Sequence, residues 1–371
     1  MGIRYSWSGA ARIAGIALIS TAALAGCGGG SGAGDGSVTI KLAIPTGPDA
    51  PIGQAAKFWA ETLEKESGGR VRVDIFDSGS LVPGTETLKA TRDGRVGLGI
   101  VPNAYHPEEL AALSVVATPY VTQKTVVDIA ALNELAVSNK TLKAEFEELG
   151  VKPLFFVGNG GAAAVTKAPI TSLADFKGKR FRALATTDTM VKPLGATGSF
   201  VEFADVYESI QRGVIDGAFP MDMGSAASAS LNEVAPYLTV TGQGTYTVSV
   251  GIVAQRTYDS YPAAVKDAIE RTNQAYNAWV PTAFAEYEAK VCDKLRAAGA
   301  HVSVLPGDQS KEWQDKTEAK LNELLLAAAA KGRIAADDFK ALQDDYRKLA
   351  LKYESTTKYE DGLTACATRA N

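Results

Sequence analysis

The chain reads VTIKLAI at residues 38–44, QAAKFWAETLEKE at 54–66, VRVDI at 71–75, TETLKATR at 85–92 and VGLGIV at 96–101. Apolar residues alternate with polar ones in the first and third segments, which is typical of half-buried strands. In the second segment the apolar residues recur every three or four positions, which indicates a helix with one buried face. Strands and helices that alternate in this way predict a parallel sheet covered by helices.

A second run of strands and helices follows residue 158. Its pattern predicts a strand at 180–185, a helix at 205–212 and a strand at 214–219. Residues 246–254 alternate cleanly, and we interpret them as a strand that crosses back into the first sheet.

The remaining segments are mainly helical. We expect one helix over 126–149 and a long helix over 262–298 that Pro281 kinks or deprives of a backbone hydrogen bond. Residues 309–353 are rich in Ala, Leu, Lys and Glu and are also expected to be helical, whereas 354–371 are expected to be irregular.

Residues 1–26 have the composition of a signal peptide. They contain two arginines and no acid, followed by an apolar run of 12 residues, which is shorter than the ~20 that span a bilayer. The run ends in Leu24-Ala25-Gly26-Cys27, which resembles a bacterial lipobox and predicts a lipidated Cys27. The alternative is an ordinary signal peptide that is cleaved nearby. Residues 27–37 would then form a glycine-rich tether.

Composition excludes several classes of function. The 371 residues include 38 Lys and Arg against 42 Asp and Glu, so the chain has no excess of basic residues for nucleic-acid binding. Only two histidines and three cysteines are present, which leaves little material for a metal site, and no motif predicts a cofactor. With Cys27 lipidated, Cys292 and Cys366 would form one disulfide or remain two buried thiols.

No motif predicts an enzyme. Residues 158–163 match the dinucleotide pattern G-x-G-x-x-A, but no long amphipathic helix follows, so we interpret them as a crossing between two lobes. His106 and His301 lack neighbouring ligands and are expected to be structural. Asp216 is expected to be buried and to cap backbone groups.

A basic cluster precedes the predicted strand at 180–185. Arg180 and Arg182 share one strand face, and an arginine that faces a cleft would suit a bidentate carboxylate contact. The pattern equally fits a solvated basic face.

Four ordered segments resemble the substrate-binding proteins of tripartite ATP-independent periplasmic (TRAP) transporters of the DctP type. These are TPYV at 118–121, FKGKRFR at 176–182, FADVYESIQRGVIDG at 203–217 and NEVAPYL at 232–238. The resemblance extends over about residues 38–300. It implies an α/β periplasmic-binding-protein fold of two lobes, with a long helix across both lobes and a helical C-terminal region.

Combined with the element pattern, the resemblance implies approximate lobe boundaries. Lobe I would contain residues 38–158 and 248–283. Lobe II would contain 159–247 and 284–353, and 354–371 would form a tail.

The resemblance also implies a role for individual residues. The family's carboxylate-binding arginine falls on Arg182, and its aromatic floor falls on Phe203. Position in the chain suggests further wall residues, namely Asn103, Tyr105, Asn159, Phe219 and Asp222. Polar positions of relatives fall at or near Pro45, Pro102, Ala162 and Pro220, so we expect a less polar pocket that binds a monocarboxylate with a modest or apolar body.

The implied function is that of an extracytoplasmic receptor, anchored by lipidated Cys27. It would capture a small organic acid by lobe closure and deliver it to membrane permease subunits. We expect a monomer, although the long helix could support a dimer. The alternatives are a lipoprotein receptor of an ABC importer, an extracytoplasmic enzyme and a purely structural envelope lipoprotein.

Overall fold

The computed structural model describes residues 37–369. The predicted signal peptide, the lipidation of Cys27 and almost all of the tether lie outside the described residues. The strands are β1 (Val38–Ala43), β2 (Val71–Phe76), β3 (Leu98–Pro102), β4 (Val151–Gly158), β5 (Ala163–Thr166), β6 (Arg180–Arg182), β7 (Thr197–Ser199), β8 (Gly217–Met221), β9 (Tyr237–Val240), β10 (Val248–Ala254) and β11 (His301–Val304).

The α-helices of the described region alternate with these strands and then continue to the C-terminus. They are α1 (Pro51–Glu66), α2 (Thr87–Arg92), α3 (Thr125–Ser138), α4 (Lys140–Leu149), α5 (Ala185–Val191), α6 (Val206–Gln211), α7 (Met223–Ser228), α8 (Gln255–Ser260), α9 (Ala263–Ala297), α10 (Gly307–Lys331), α11 (Ala336–Glu354) and α12 (Gly362–Thr368).

Lobe I is built on a five-stranded sheet of order β2-β1-β3-β10-β4. The first three strands are parallel, as the alternation at 38–101 predicts, and β10 returns antiparallel between β3 and β4. Ile40 and Leu42 of β1 are buried, whereas Thr39 and Lys41 are exposed, so the period of two is confirmed.

Lobe II is built on a six-stranded sheet of order β11-β9-β5-β8-β6-β7. One face packs against α10, whose Trp313 contacts Phe176 and Phe219 and donates a hydrogen bond from Nε1 to the Met190 carbonyl at 2.8 Å. The other face forms a separate apolar cluster with α6, α7, α12 and the end of α9. The predicted two-lobed α/β architecture is therefore confirmed.

The long helix α9 contributes to both lobes. Val265, Ile269 and Tyr276 in its first half join the core of lobe I, and Val291 and Leu295 near its end join the second cluster of lobe II. The helix continues through Pro281, which has no N–H to donate to the preceding turn. The predicted long helix across both lobes is confirmed.

Three predictions about helices were wrong in detail. The helix expected over 126–149 is divided at Asn139, whose side chain accepts hydrogen bonds from Thr141 N and Leu142 N and caps α4. The tail expected to be irregular contains α12, which Asp361 caps by accepting from Thr364 N at 2.8 Å. The expectation placed 284–353 in lobe II, but α11 packs against α3 of lobe I.

The chain first passes from lobe I to lobe II between β4 and β5. Gly158 ends β4 in close contact with Thr125, and a Cβ added there would lie 1.6 Å from Thr125 Oγ1. Gly160 has a φ of +98°, a conformation that favours glycine. These two requirements explain the glycines of the G-x-G-x-x-A match without a bound nucleotide.

Candidate functional site

A cavity of about 70 Å³ lies between the two lobes. Its walls come from residues at or just beyond the carboxyl ends of β1, β3, β4, β6 and β8, together with the segment that precedes β10. Ligands of open α/β sheets bind at the carboxyl ends of the strands. Five of the residues singled out in the sequence meet here: Tyr105, Asn159, Arg182, Phe203 and Asp222.

Arg182 carries a buried positive charge on the cavity wall. Its side chain is at the end of β6 and the residue is only 6% exposed. Its Nε donates to the Val201 carbonyl at 3.2 Å. Between residues 37 and 369, its two terminal nitrogens make no hydrogen bond and no carboxylate forms an ion pair with it. The guanidinium therefore retains a free bidentate edge, the geometry that matches a carboxylate.

Arg180, two residues earlier on the same strand, has a different environment. It is exposed, and its Nη2 and Nε donate to the two oxygens of Asp216 at 2.9 and 3.0 Å. Asp216 also accepts from Arg180 N, so it contacts backbone as expected, but it is half-buried rather than buried. The Arg180 side chain lowers the pKa of Asp216 from its usual value. This pair is a surface ion pair outside the cavity.

Tyr105 joins the two lobes beside the cavity. Its hydroxyl accepts a hydrogen bond from Phe203 N at 3.2 Å, and its ring packs edge-on against Phe200 at 5.4 Å. Nearby, Thr85 Oγ1 donates to Glu202 Oε1 at 2.6 Å. These contacts join residues of lobe I to residues of lobe II. The two lobes are therefore in contact beside the cavity.

Asn159 and Asp222 supply polar groups at the base of the cavity. Asn159 Nδ2 donates to Thr247 Oγ1 at 2.8 Å. Asp222 caps α7, and its Oδ1 accepts from Ser225 N at 2.7 Å. Burial raises the pKa of Asp222 to about 6, against the opposing effect of the hydrogen bonds from Ser225.

Asn103 and Phe219, also expected in the wall, do not line the cavity. Asn103 is buried, with Oδ1 accepting from Val248 N at 3.0 Å and Nδ2 donating to Ser114 Oγ. Phe219 is fully buried against Trp313 on the other side of the second sheet. Neighbouring residues of a strand point to opposite sides of the sheet. Position in the chain alone therefore did not distinguish residues that line the cavity from residues that face away from it.

Sequence reasoning missed several polar lining residues: Thr46, Ser225, Tyr246 and Thr247. Thr46 has a buried hydroxyl that makes no hydrogen bond within the described residues. A signal was available for Thr46, because it follows the carboxyl end of the first predicted strand. Ser225 lies at the start of a helix, and Tyr246 and Thr247 lie in a loop. No local sequence pattern predicts that these elements reach the cavity.

The four positions that lead us to expect a less polar pocket also belong to the cavity. Pro45, Pro102, Ala162 and Pro220 all line it. Each contributes apolar surface, and Arg182 and Asp222 are the only charged residues in the described lining.

Neither histidine is in this cavity. Burial lowers the pKa of His106, against the raising effect of Glu109, and His301 stacks on Tyr237. Within residues 37–369, no group of three or more His, Cys, Asp and Glu side chains is arranged to hold a metal ion. In the same region, no helix combines the length and apolar character needed to cross a membrane.

Residues 42–326 match the family model of bacterial extracellular solute-binding proteins, family 7, known as DctP. The chain belongs to this family. It is a DctP-type solute-binding protein of the TRAP class, which confirms the resemblance found in the sequence. The family is one of solute-binding proteins, so the match supports the predicted class of solute receptor.

Individual relatives agree with this assignment. The chain is 26% identical to the C4-dicarboxylate-binding periplasmic protein DctP of Rhodobacter capsulatus, over 75% of this chain and 84% of that protein. Its fold is similar to a TRAP solute-binding protein of Rhodoferax ferrireducens in complex with copurified benzoate, with a TM-score of 0.77, 20% identity and coverage of 86% and 99%. It is also similar to the sugar-acid-binding DctPAm of Advenella mimigardefordensis in complex with galactonate, with a TM-score of 0.74, 20% identity and coverage of 84% and 99%.

Proposed function

We propose that this protein binds a small organic monocarboxylate between its lobes and delivers it to the permease subunits of a TRAP transporter. The observation that carries the proposal is the buried Arg182 guanidinium, which has no carboxylate partner among the described residues and lies on the cavity wall. An isolated buried charge is unfavourable, so a ligand carboxylate would relieve this cost.

The other lining residues support an acid with a single carboxylate for this site. Arg182 is the only cation in the described lining, and a second ligand carboxylate would lack a partner. Pro45, Pro102, Ala162 and Pro220 leave apolar wall for the body of the ligand. The benzoate and galactonate complexes of the two structural relatives show that this fold accommodates organic acids in those proteins.

Capture would depend on contacts between the lobes. Tyr105 is both a lining residue and a bridge to lobe II through Phe203 N and Phe200. A ligand held by Arg182 of lobe II and contacted by Tyr105 of lobe I would stabilise the closed arrangement. This is the physical basis for release when the lobes separate at the permease.

The test is ligand affinity of the purified protein, stripped of any copurified molecule by unfolding and refolding. A panel of organic acids and their amides is titrated by calorimetry and thermal shift. We expect an acid, and not its amide, to stabilise the protein by about 2.7 kcal/mol at 100 times its dissociation constant. Arg182→Ala should weaken this binding roughly 100-fold, because about 3 kcal/mol of charge-assisted hydrogen bonding is lost.

Arg180→Ala is the matched control, since it removes an arginine of the same strand that does not line the cavity. It should leave the affinity unchanged. Equal affinity in Arg182→Ala and the wild type would contradict the proposed anchor.

We also propose that Cys27 is lipidated and that the receptor acts as a monomer on the outer face of a membrane. The support is the Leu24-Ala25-Gly26-Cys27 sequence after an apolar run. Intact mass of the mature protein tests the anchor, and an N-terminus other than a lipid-modified Cys27 would contradict it.

A further inference from the structure

The cavity contains a second charged residue whose role the carboxylate anchor does not explain. Asp222 follows β8 and caps α7, with its Oδ1 accepting a hydrogen bond from Ser225 N at 2.7 Å. Asp222 lines the cavity and is partly exposed, so its carboxylate remains accessible to a ligand beside the contacts with Ser225.

No cation of the described chain compensates this carboxylate. Neither Asp222 nor Arg182 takes part in an ion pair between residues 37 and 369, with each other or with another side chain. Glu288 of α9 is an acidic residue whose charge would interact with that of Asp222. Burial raises the pKa of Glu288 to about 8. Glu288 is thus mainly protonated at neutral pH, and the negative charge at the cavity belongs to Asp222.

The cavity is consequently bipolar, with a cationic wall at Arg182 and an anionic wall at Asp222. A ligand with one carboxylate and an apolar body pairs with the first and leaves the second desolvated and unpaired, which is costly. A dicarboxylate adds repulsion between like charges. A ligand that carries both a carboxylate and a hydrogen-bond donor satisfies both walls.

We infer that Asp222 is a specificity-determining residue that accepts a hydrogen bond from an ammonium or hydroxyl group of the ligand, selecting amino and hydroxy acids over dicarboxylates. This inference rests on the proposed binding of a carboxylate at Arg182. It adds a chemical class to that function, namely small acids whose body carries a donor. Ammonium is favoured over hydroxyl because its positive charge compensates the carboxylate, whereas a hydroxyl leaves the negative charge uncompensated.

The probes are acids that differ only at the position of the donor. The cavity volume of about 70 Å³ is small, roughly five times the space that one water needs, so skeletons of about three and four carbons are used. The first set is propanoate, 3-hydroxypropanoate, 3-aminopropanoate and malonate. The second set is butanoate, 4-hydroxybutanoate, 4-aminobutanoate and succinate. Affinities are measured by calorimetry at pH 7.5.

On at least one skeleton, we expect the amino acid to bind at least tenfold more tightly than the plain acid, with the hydroxy acid between them and the dicarboxylate weakest. Asp222→Asn should remove this preference while keeping the fold, because Asn also caps helices well. Asp361→Asn is the matched control, since Asp361 is also an aspartate that caps a helix, accepting from Thr364 N, but it lies outside the cavity lining. It should retain the wild-type order.

The pH profile provides a second readout. Asp222 must be ionised to pair with an ammonium, and burial raises its pKa to about 6, so amino-acid affinity should fall about tenfold per unit below pH 6. The plain acid should bind equally well or better there. The other titratable or charged groups around Asp222 are Tyr287 and Glu288 of α9 and Arg182 across the cavity.

The outcomes separate this inference from the proposed function. If the plain acid or the dicarboxylate binds best on every skeleton, or if Asp222→Asn keeps the wild-type order, the role of Asp222 is overturned while the Arg182 anchor stands. If Arg182→Ala binds every probe as the wild type does, or the wild type binds no acid, the proposed function fails and the inference fails with it.

Discussion

Two arginines on one short strand show how strongly the surroundings of a side chain decide its use. Arg180 is exposed and paired with Asp216, whereas Arg182 is buried and has no carboxylate partner in the described chain. An exposed pair contributes about 0–1 kcal/mol to stability, while an uncompensated buried charge lowers stability. The binding arginine is therefore expected to destabilise the ligand-free protein.

Replacement of Arg182 by methionine tests this cost. Arg182→Met retains much of the side-chain volume without the charge, so we expect the free energy of unfolding of the ligand-free protein to rise by about 1 kcal/mol. Acid binding should be lost in the same variant. Urea denaturation measures the first effect, and a loss of more than about 1 kcal/mol would show that the guanidinium has a structural role instead. Arg180→Met serves as the comparison and should not raise stability.

The C-terminal helix α12 depends on a covalent link to the long helix α9. Cys292 and Cys366 form a disulfide across 74 positions of sequence, and Asp361 caps α12 beside Gly161 of the crossing between the lobes. Leu363 and Cys366 are the buried residues of this seven-residue helix. Arg296 of α9 also donates to the Cys366 carbonyl at 2.7 Å, and we expect the disulfide to make the largest single contribution to holding this segment in place.

Removal of the disulfide should have a large effect on stability. A loop of this length restricts the unfolded chain by about 4 kcal/mol. We expect Cys292→Ala/Cys366→Ala to lower the free energy of unfolding by about that amount and to increase hydrogen exchange in residues 362–368. Reductant should destabilise the wild type and leave the double variant unaffected. A change below about 1 kcal/mol would mean that packing and polar contacts hold α12 without the disulfide.

Three buried carboxyl groups make the stability of the molecule depend on pH. Burial raises the pKa of Asp128 to about 7 and of Glu145 and Glu288 to about 8. Between about pH 4.5 and these values the folded protein retains protons that the unfolded chain has released. The contribution of these three groups to the free energy of unfolding is therefore fully present below their unfolded pKa values. It is lost as pH rises through their folded pKa values.

We expect the free energy of unfolding to be several kcal/mol higher at pH 5.5 than at pH 8, because each group contributes about 1.4 kcal/mol for every pH unit below its folded pKa. Glu288→Gln should reduce this difference, because Gln can still accept the hydrogen bonds from Tyr359 and Gly362 but does not titrate. Denaturation at several pH values measures the slope. Stability that is flat, or that rises with pH, would contradict the assignment of these groups.

Much of the architecture could be read from local pattern. The alternation at 38–44 predicted a strand with Ile40 and Leu42 inside, because a period of two records burial of one face. The motifs around Arg182 predicted the two-lobed receptor family, which the match over residues 42–326 confirms. Pattern failed at Asn139, where one side chain that caps α4 divides a continuous helical signal.

The composition of the cavity required the folded structure. Thr46, Arg182 and Tyr246 are far apart in the chain and meet only because strand ends of two sheets converge. Tyr105 reaches the cavity while Asn103, two residues earlier, is buried and hydrogen-bonded to Val248 N. Local sequence predicts which face of a strand or helix is buried, because the spacing of apolar residues within that element follows its geometry. Which buried side chain faces a ligand depends on how distant elements pack, and that information is present only in three dimensions.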